Sequence, residues 1–207
     1  MISAPGTTLA DHIGSQQTAS SKSLLKDGIL IVGASLLMAL AARASIYLPW
    51  SPVPITLQTL VVMLAGATLG SRRGALAMLL YLVEGAVGLP VFAGGGGILY
   101  LLLSPSAGYL WSYPLAALAV GYLCERNLDR SIVTSILAVL PGTCIIYALG
   151  VPWLAVIAHL NLWQALSLGM FLFLPGDIIK VVVAAILMPV AWQLVRRLKP
   201  ESQLPPR

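Results

Sequence analysis

The sequence predicts an all-α polytopic membrane protein: six transmembrane helices with three outward-facing loops. Three observations predict it. Of 207 residues, 58% are hydrophobic and 9% charged, with mean hydropathy +0.92, too little polar surface for a soluble globule. Pro, Gly and charge punctuation cuts the chain into six apolar pieces, each close to the roughly 20 residues that cross a hydrocarbon core about 30 Å thick. Ten of the twelve Lys and Arg residues lie at a terminus or in every second connection, which is how orientation signals are distributed in membrane proteins.

Residues 1–28 are polar and Ser/Thr-rich and lack an apolar core, so they read as a disordered cytoplasmic tail and not as a signal peptide. The six helices are expected at 29–48, 56–71, 74–92, 107–124, 132–150 and 177–196, which makes 29–196 the membrane domain and 197–207 a cytoplasmic tail. Lys22 and Lys26 precede the first helix, Arg72 and Arg73 follow the second, Arg126 and Arg130 follow the fourth, and Arg196, Arg197, Lys199 and Arg207 follow the sixth. The alternate loops 49–55, 93–106 and 151–176 contain no Lys or Arg. The positive-inside rule therefore puts both termini in the cytoplasm of a cell-membrane protein and turns those three loops outward. The net charge of +5 is spent on this topology, and nucleic acid is not an expected partner.

Apart from Arg196 at the last position of the sixth, four charged residues fall inside the proposed helices: Arg43, Glu84, Asp177 and Lys180. Charge at membrane depth is tolerated when paired and marks function by default. Arg43 and Glu84 are a candidate structural ion pair between helices one and three. Asp177 and Lys180, three residues apart after the Pro175–Gly176 break, project from one helical face. Asp177 would also serve as a helix N-cap, the plainer reading, but a cap does not require a lysine one turn later.

The outward loops are apolar without being spans. Prolines 49, 52 and 54 keep the first one extended, so that it delivers Thr56, Gln58 and Thr59 to the mouth of helix two. In the second, four glycines from Gly94 to Gly97 permit close backbone approach, flanked by Phe92, Ile98, Leu99 and Tyr100. Joined to the sixth helix, residues 151–174 would be about twice too long for one span, so they read as an outer re-entrant or interfacial segment. Small residues at four-residue spacing on helix one, Ser35 with Ala39 and Ala41 with Ser45, offer a face for a partner helix.

The motifs of an enzyme are absent. There is no Walker sequence, no Gly-x-Ser-x-Gly and no His-Glu-x-x-His. Cys124 and Cys144 have no ligand-spaced neighbours and read as small hydrophobes, and neither a metal nor a cofactor is expected. An intramembrane protease would want a Ser/His or paired-acid constellation, which Glu84 and His159 do not supply.

Four stretches, Pro52–Thr59, Gly88–Gly95, Pro105–Tyr109 and Leu174–Asp177 with Lys180, together resemble the BioY family, the biotin-binding S components of energy-coupling factor (ECF) transporters. The similarity runs from about residue 29 to 196. It implies a six-helix protein whose outer loops fold over one biotin, which associates with a transmembrane coupling protein and two ATPases and topples in the bilayer to release the vitamin. The family's helix one docks through Ala-x-x-x-Ala, to which Ser35/Ala39 and Ala41/Ser45 are the nearest matches. An S component for another vitamin, such as thiamine or riboflavin, is the alternative, but such rings would select aromatic stacking and this chain has three Phe.

Biotin carries a ureido ring, an apolar thioether ring with its alkyl chain, and a carboxylate, so its site needs an acceptor, donors and an apolar wall. The expected assignment has Asp177 accept a ureido N–H, Thr56 or Gln58 serve the ureido carbonyl or the other N–H, and Lys180 meet the carboxylate, with Phe92 and Tyr109 as the wall. The rival keeps Asp177 and Lys180 as an ion pair and takes donors for the carboxylate from the backbone at Gly94 and Gly95.

Overall fold

Apolar runs that no polar side chain interrupts have one way to satisfy their backbone at membrane depth, which is to coil on themselves. The computed structural model describes residues 8–12 and 20–198, and they are mostly helical. In chain order the elements are α1 (Leu9–His12), α2 (Ser20–Arg43), the paired strands β1 (Ser45–Ile46) and β2 (Ile55–Thr56), α3 (Gln58–Leu69), α4 (Ser71–Ala86), α5 (Ile98–Leu103), α6 (Ala107–Cys124), α7 (Ile132–Ile157), α8 (Leu162–Leu166), a π-helical turn (Ser167–Phe171) and α9 (Leu174–Leu198). Three helices, α2 from Leu24, α7 and α9, are long and apolar enough to cross a membrane.

The bundle is apolar on both faces. Met38 and Ala42 of α2 are fully buried, whereas Ile29, Leu36 and Leu40 of the same helix stand more than half exposed, as a helix with lipid on one side and protein on the other requires. Inside are two packed clusters. One surrounds Tyr81, Phe92, Tyr113 and Leu154; the other joins Met63, Val120, Val139 and Met188.

One end of the bundle gathers the basic residues. Arg73, in the first turn of α4, holds Asp11 at 2.6 Å and Asp27 at 2.9 Å, and Lys26 donates to the Ala10 carbonyl at 2.8 Å. At the same end, Glu125 accepts from the Ser71 backbone N–H at 2.7 Å. Arg130 lies 3.2 Å from the centre of the Trp192 ring, a cation–π contact. Trp192 in turn donates its indole N–H to Asp129.

Several expectations are corrected here. The segment expected to be a disordered tail is ordered where it is described: Leu9 and Ala10 are 3% exposed, and residues 20–28 already belong to α2. Residues 1–7, 13–19 and the tail beyond 198 lie outside the described residues. The first helix ends at Arg43, not at 48, because Ser45–Ile46 pairs antiparallel with Ile55–Thr56 and draws the proline-rich loop back over the bundle. Residues 151–157 are no outer loop. The helix runs through Pro152 to Ile157, since a proline removes a single ladder donor that neighbouring groups can offset. Trp153 anchors this extension by donating to the Ser104 carbonyl at 3.0 Å and packing 4.4 Å from Trp111. At the other helix start, Pro175 does not precede α9 but sits in its first turn, where its missing N–H costs nothing.

Candidate functional site

A cleft of about 560 Å³, counting the solvent space at its open mouth, lies at the end of the bundle opposite Arg73 and Arg130. It is built at the termini of helices, where side chains of different elements converge. The β1–β2 pairing and the prolines bring Val53, Pro54 and Thr56; α3 starts there with Gln58 and Thr59; α6 starts with Tyr109 and Tyr113; α7 passes with Ile146 and Tyr147; α9 starts with Asp177 and Lys180.

Asp177 and Lys180 are paired and buried, 6% and 8% exposed. Lys180 Nζ donates to Asp177 Oδ1 at 2.7 Å and to Thr59 Oγ1 at 3.0 Å. Tyr147 donates its hydroxyl to the other carboxylate oxygen, Oδ2. Both carboxylate oxygens are therefore engaged, which is the condition under which an ion pair survives out of water. An ammonium has three donors, and two are spoken for. The first turn of α9 adds its dipole in favour of the carboxylate.

The walls are aromatic. Phe92 is fully buried, stacked on Tyr100 at 5.5 Å and edge-on to Tyr81 at 5.3 Å. Its ring lies on Gly85, where an added Cβ would come within 1.9 Å of it. Tyr109 lies against Gly150 in the same way, its Cδ1 2.2 Å from where a Cβ would stand. Its hydroxyl reaches the Gly169 carbonyl in the π-helical turn at 2.8 Å. Gln58, 3% exposed, donates its amide N–H to the Tyr81 hydroxyl at 2.7 Å, and Thr56 Oγ1 accepts from the Gln58 backbone N–H at 3.3 Å.

Of the residues expected at the site, the pocket brings together Asp177, Lys180, Thr56, Gln58, Phe92 and Tyr109. Gly94 and Gly95 are not among its lining. They close a turn in which Phe92 and Gly95 exchange backbone hydrogen bonds of 2.9 and 3.2 Å, so their contribution is to seat Phe92. Arg43 and Glu84 do not pair. Arg43 donates to the Pro90 carbonyl and Glu84 accepts from Ser35 Oγ at 2.9 Å, because α2 ends where the glycine loop begins and the guanidinium finds a loop carbonyl first. The small residues singled out on the first helix lie mostly against the bundle. Ser35 is fully buried, Ala41 is 7% exposed, Ala39 packs on the core and Ser45 is in a strand; their small size lets α4 approach α2.

Tyr147 and Tyr113 were not expected to line the site; Thr59 and Tyr100, placed by their loops but given no role in it, also do. A tyrosine within an apolar span must find a partner for its hydroxyl, and Tyr147 in the fifth predicted helix carried that signal.

Fold and site together define a multi-pass helical membrane protein with a partly polar pocket at one end of the bundle. The chain belongs to the BioY family, whose model matches residues 15–197. Similar proteins include the "Biotin transporter BioY" of Rhizobium etli, 42% identical over 74% of this chain and 86% of that protein. Another, of the same description from Rhodobacter capsulatus, is 42% identical over 78% of this chain and 91% of its own. A crystal structure described as the S component for biotin from an ECF-type ABC transporter superposes with a TM-score of 0.74 at 26% identity, covering 91% of this chain and 97% of that one. These are transporter proteins, not enzymes.

Proposed function

We propose that this chain is the biotin-binding membrane subunit, the S component, of an ECF-type uptake transporter. The observation that carries the reading is the buried Asp177–Lys180 pair, with Tyr147 and Thr59, in an aromatic-walled pocket of a BioY-family chain whose relatives are described as biotin transporters. The long helices α2, α7 and α9 cross the bilayer, the shorter α3, α4 and α6 complete six membrane segments between them, and the arginine-rich end is cytoplasmic with the pocket end outward. The distribution of basic residues supports this orientation.

In the bound state the aromatic wall of Phe92 and Tyr109 covers the thioether ring and alkyl chain. Asp177 accepts a ureido N–H on a lone pair left free by Lys180 and Tyr147, since each carboxylate oxygen can accept more than one hydrogen bond. The Thr56 hydroxyl hydrogen is available to the ureido carbonyl, and the third donor of Lys180 meets the biotin carboxylate. Uptake against a gradient needs an energy source, and the chain carries no nucleotide-binding motif. A transmembrane coupling protein and two ATPases supply it, with release to the cytoplasm by toppling of the bundle.

Uptake of labelled biotin by cells that express this chain with and without an ECF coupling protein and ATPases tests the reading. Accumulation only with the complete set is expected. Accumulation against a gradient by the chain alone would remove the partner requirement, and none in either case would overturn the assignment.

A further inference from the structure

Tyr81 does not line the pocket, yet it decides what the pocket presents. Its hydroxyl is buried between two groups. It lies 2.7 Å from the side-chain amide of Gln58 and 3.1 Å from the backbone carbonyl of Val91, and Tyr81 itself has no exposed surface. A tyrosine hydroxyl has one hydrogen to give. The Val91 carbonyl can only accept, so that hydrogen belongs to Val91. The oxygen of Tyr81 must then accept from Gln58, which turns the amide nitrogen toward Tyr81. The Gln58 carbonyl oxygen, which makes no hydrogen bond to any described residue, is the group left for an occupant of the pocket.

We infer that Tyr81 is a specificity-determining positioning residue. By fixing the orientation of the Gln58 amide it makes that wall of the pocket an acceptor, which selects a ligand with an N–H at that point and rejects one with a lone pair there. The inference rests on the biotin reading and sharpens it. Asp177 and Gln58 become the two acceptors for the two ureido N–H groups, and the ureido carbonyl is left to the donors.

The same contact couples pocket to loop. Val91 immediately precedes Phe92, whose ring packs edge-on against Tyr81, so one side chain holds both the polar reader Gln58 and the apolar wall Phe92 in register. A site whose buried polar group is held in one orientation discriminates strongly against an analogue that cannot match it, because the mismatch leaves that group facing a like dipole.

The test uses the purified full chain in nanodiscs and three ligands: biotin and the two cyclic carbamate analogues in which one or the other ureido N–H is replaced by oxygen. Wild type is expected to bind biotin and to reject both analogues. Tyr81→Phe frees the Gln58 amide to rotate and donate to a ring oxygen, so discrimination against one analogue falls by about tenfold while that against the other, read by Asp177, is unchanged. A merely structural loss would weaken all three ligands together. Gln58→Leu removes the acceptor itself and relaxes the same single ratio, which keeps the test open if Tyr81→Phe does not fold. Both ratios unchanged in a folded variant would overturn the inference alone. Failure of wild type to bind biotin would instead remove the functional reading on which it rests.

Discussion

Removing one charge from the Asp177–Lys180 pair should harm the protein more than removing both. Lys180→Met leaves the Asp177 carboxylate in place, 6% exposed, with the Tyr147 hydroxyl as its one remaining side-chain partner. Breaking a buried pair in this way costs about 3–5 kcal/mol, because one charge stays behind uncompensated. In a chain of this size that lowers the unfolding midpoint by on the order of 10 °C. Asp177→Asn/Lys180→Met carries no net charge into the pocket, keeps an amide oxygen for Tyr147 and approximates the lysine's volume, so most of that loss should return. Biotin binding should not return. Both variants lack charge-assisted hydrogen bonds worth about 1.5–3 kcal/mol each, or roughly 10- to 200-fold in affinity. Thermal unfolding in nanodiscs, alongside equilibrium binding of labelled biotin, separates the two effects. A single Lys180→Met protein as stable as wild type, or a double variant less stable than either single one, would refute the claim that the pair is desolvated and mutually compensating.

Other substitutions probe the scaffold of the site. Gly85→Ala places a methyl group inside the Phe92 ring, 1.9 Å from its Cζ, and should displace the wall, costing at least tenfold in biotin affinity in the same binding assay. Tyr109→Phe leaves the Gly169 carbonyl without the 2.8 Å bond that ties α6 to the π-helical turn, a loss of about 1 kcal/mol visible as a small drop in thermal stability. At the opposite end, burial pushes the Asp11 carboxyl up, but hydrogen bonds from Thr8 and Arg73 outweigh it and hold the group below its ordinary value of 3.8. A lowered carboxyl stabilises the folded state above its unfolded value and loses that contribution as pH falls through the folded one. Docking of α1 should therefore be intact at neutral pH and released only below about pH 4, and Asp11→Asn should release it at pH 7; labelling of a cysteine introduced at Ala10 reports both.

Much of the site was legible because ionisable groups in an apolar sequence are rare enough to stand out. Asp177 and Lys180 advertised themselves by charge, and Thr56 and Gln58 by following a proline-stiffened loop. Tyr147 was missed because a single tyrosine in a helix of 26 residues declares its partner only when α7 and α9 are packed together. The reach of Arg43 was misjudged for a related reason: a long side chain at a helix end can meet several partners, and sequence does not say that a loop carbonyl at Pro90 is nearest. The inner face of α2 could not be read at all. A helix apolar on all sides carries no periodic signal, so Ser35 and Ala41 looked equally suited to an outside partner and to α4. Ending the fifth helix at 150 follows from Pro and Gly punctuation, a rule for soluble helices that buried membrane helices relax.

The central claim is tested most directly by equilibrium binding of labelled biotin to the purified chain without any partner protein. The account predicts one saturable site per chain, lost or weakened at least tenfold in both Asp177→Asn and Lys180→Ala. Binding of biotin that is undiminished in both variants would contradict it.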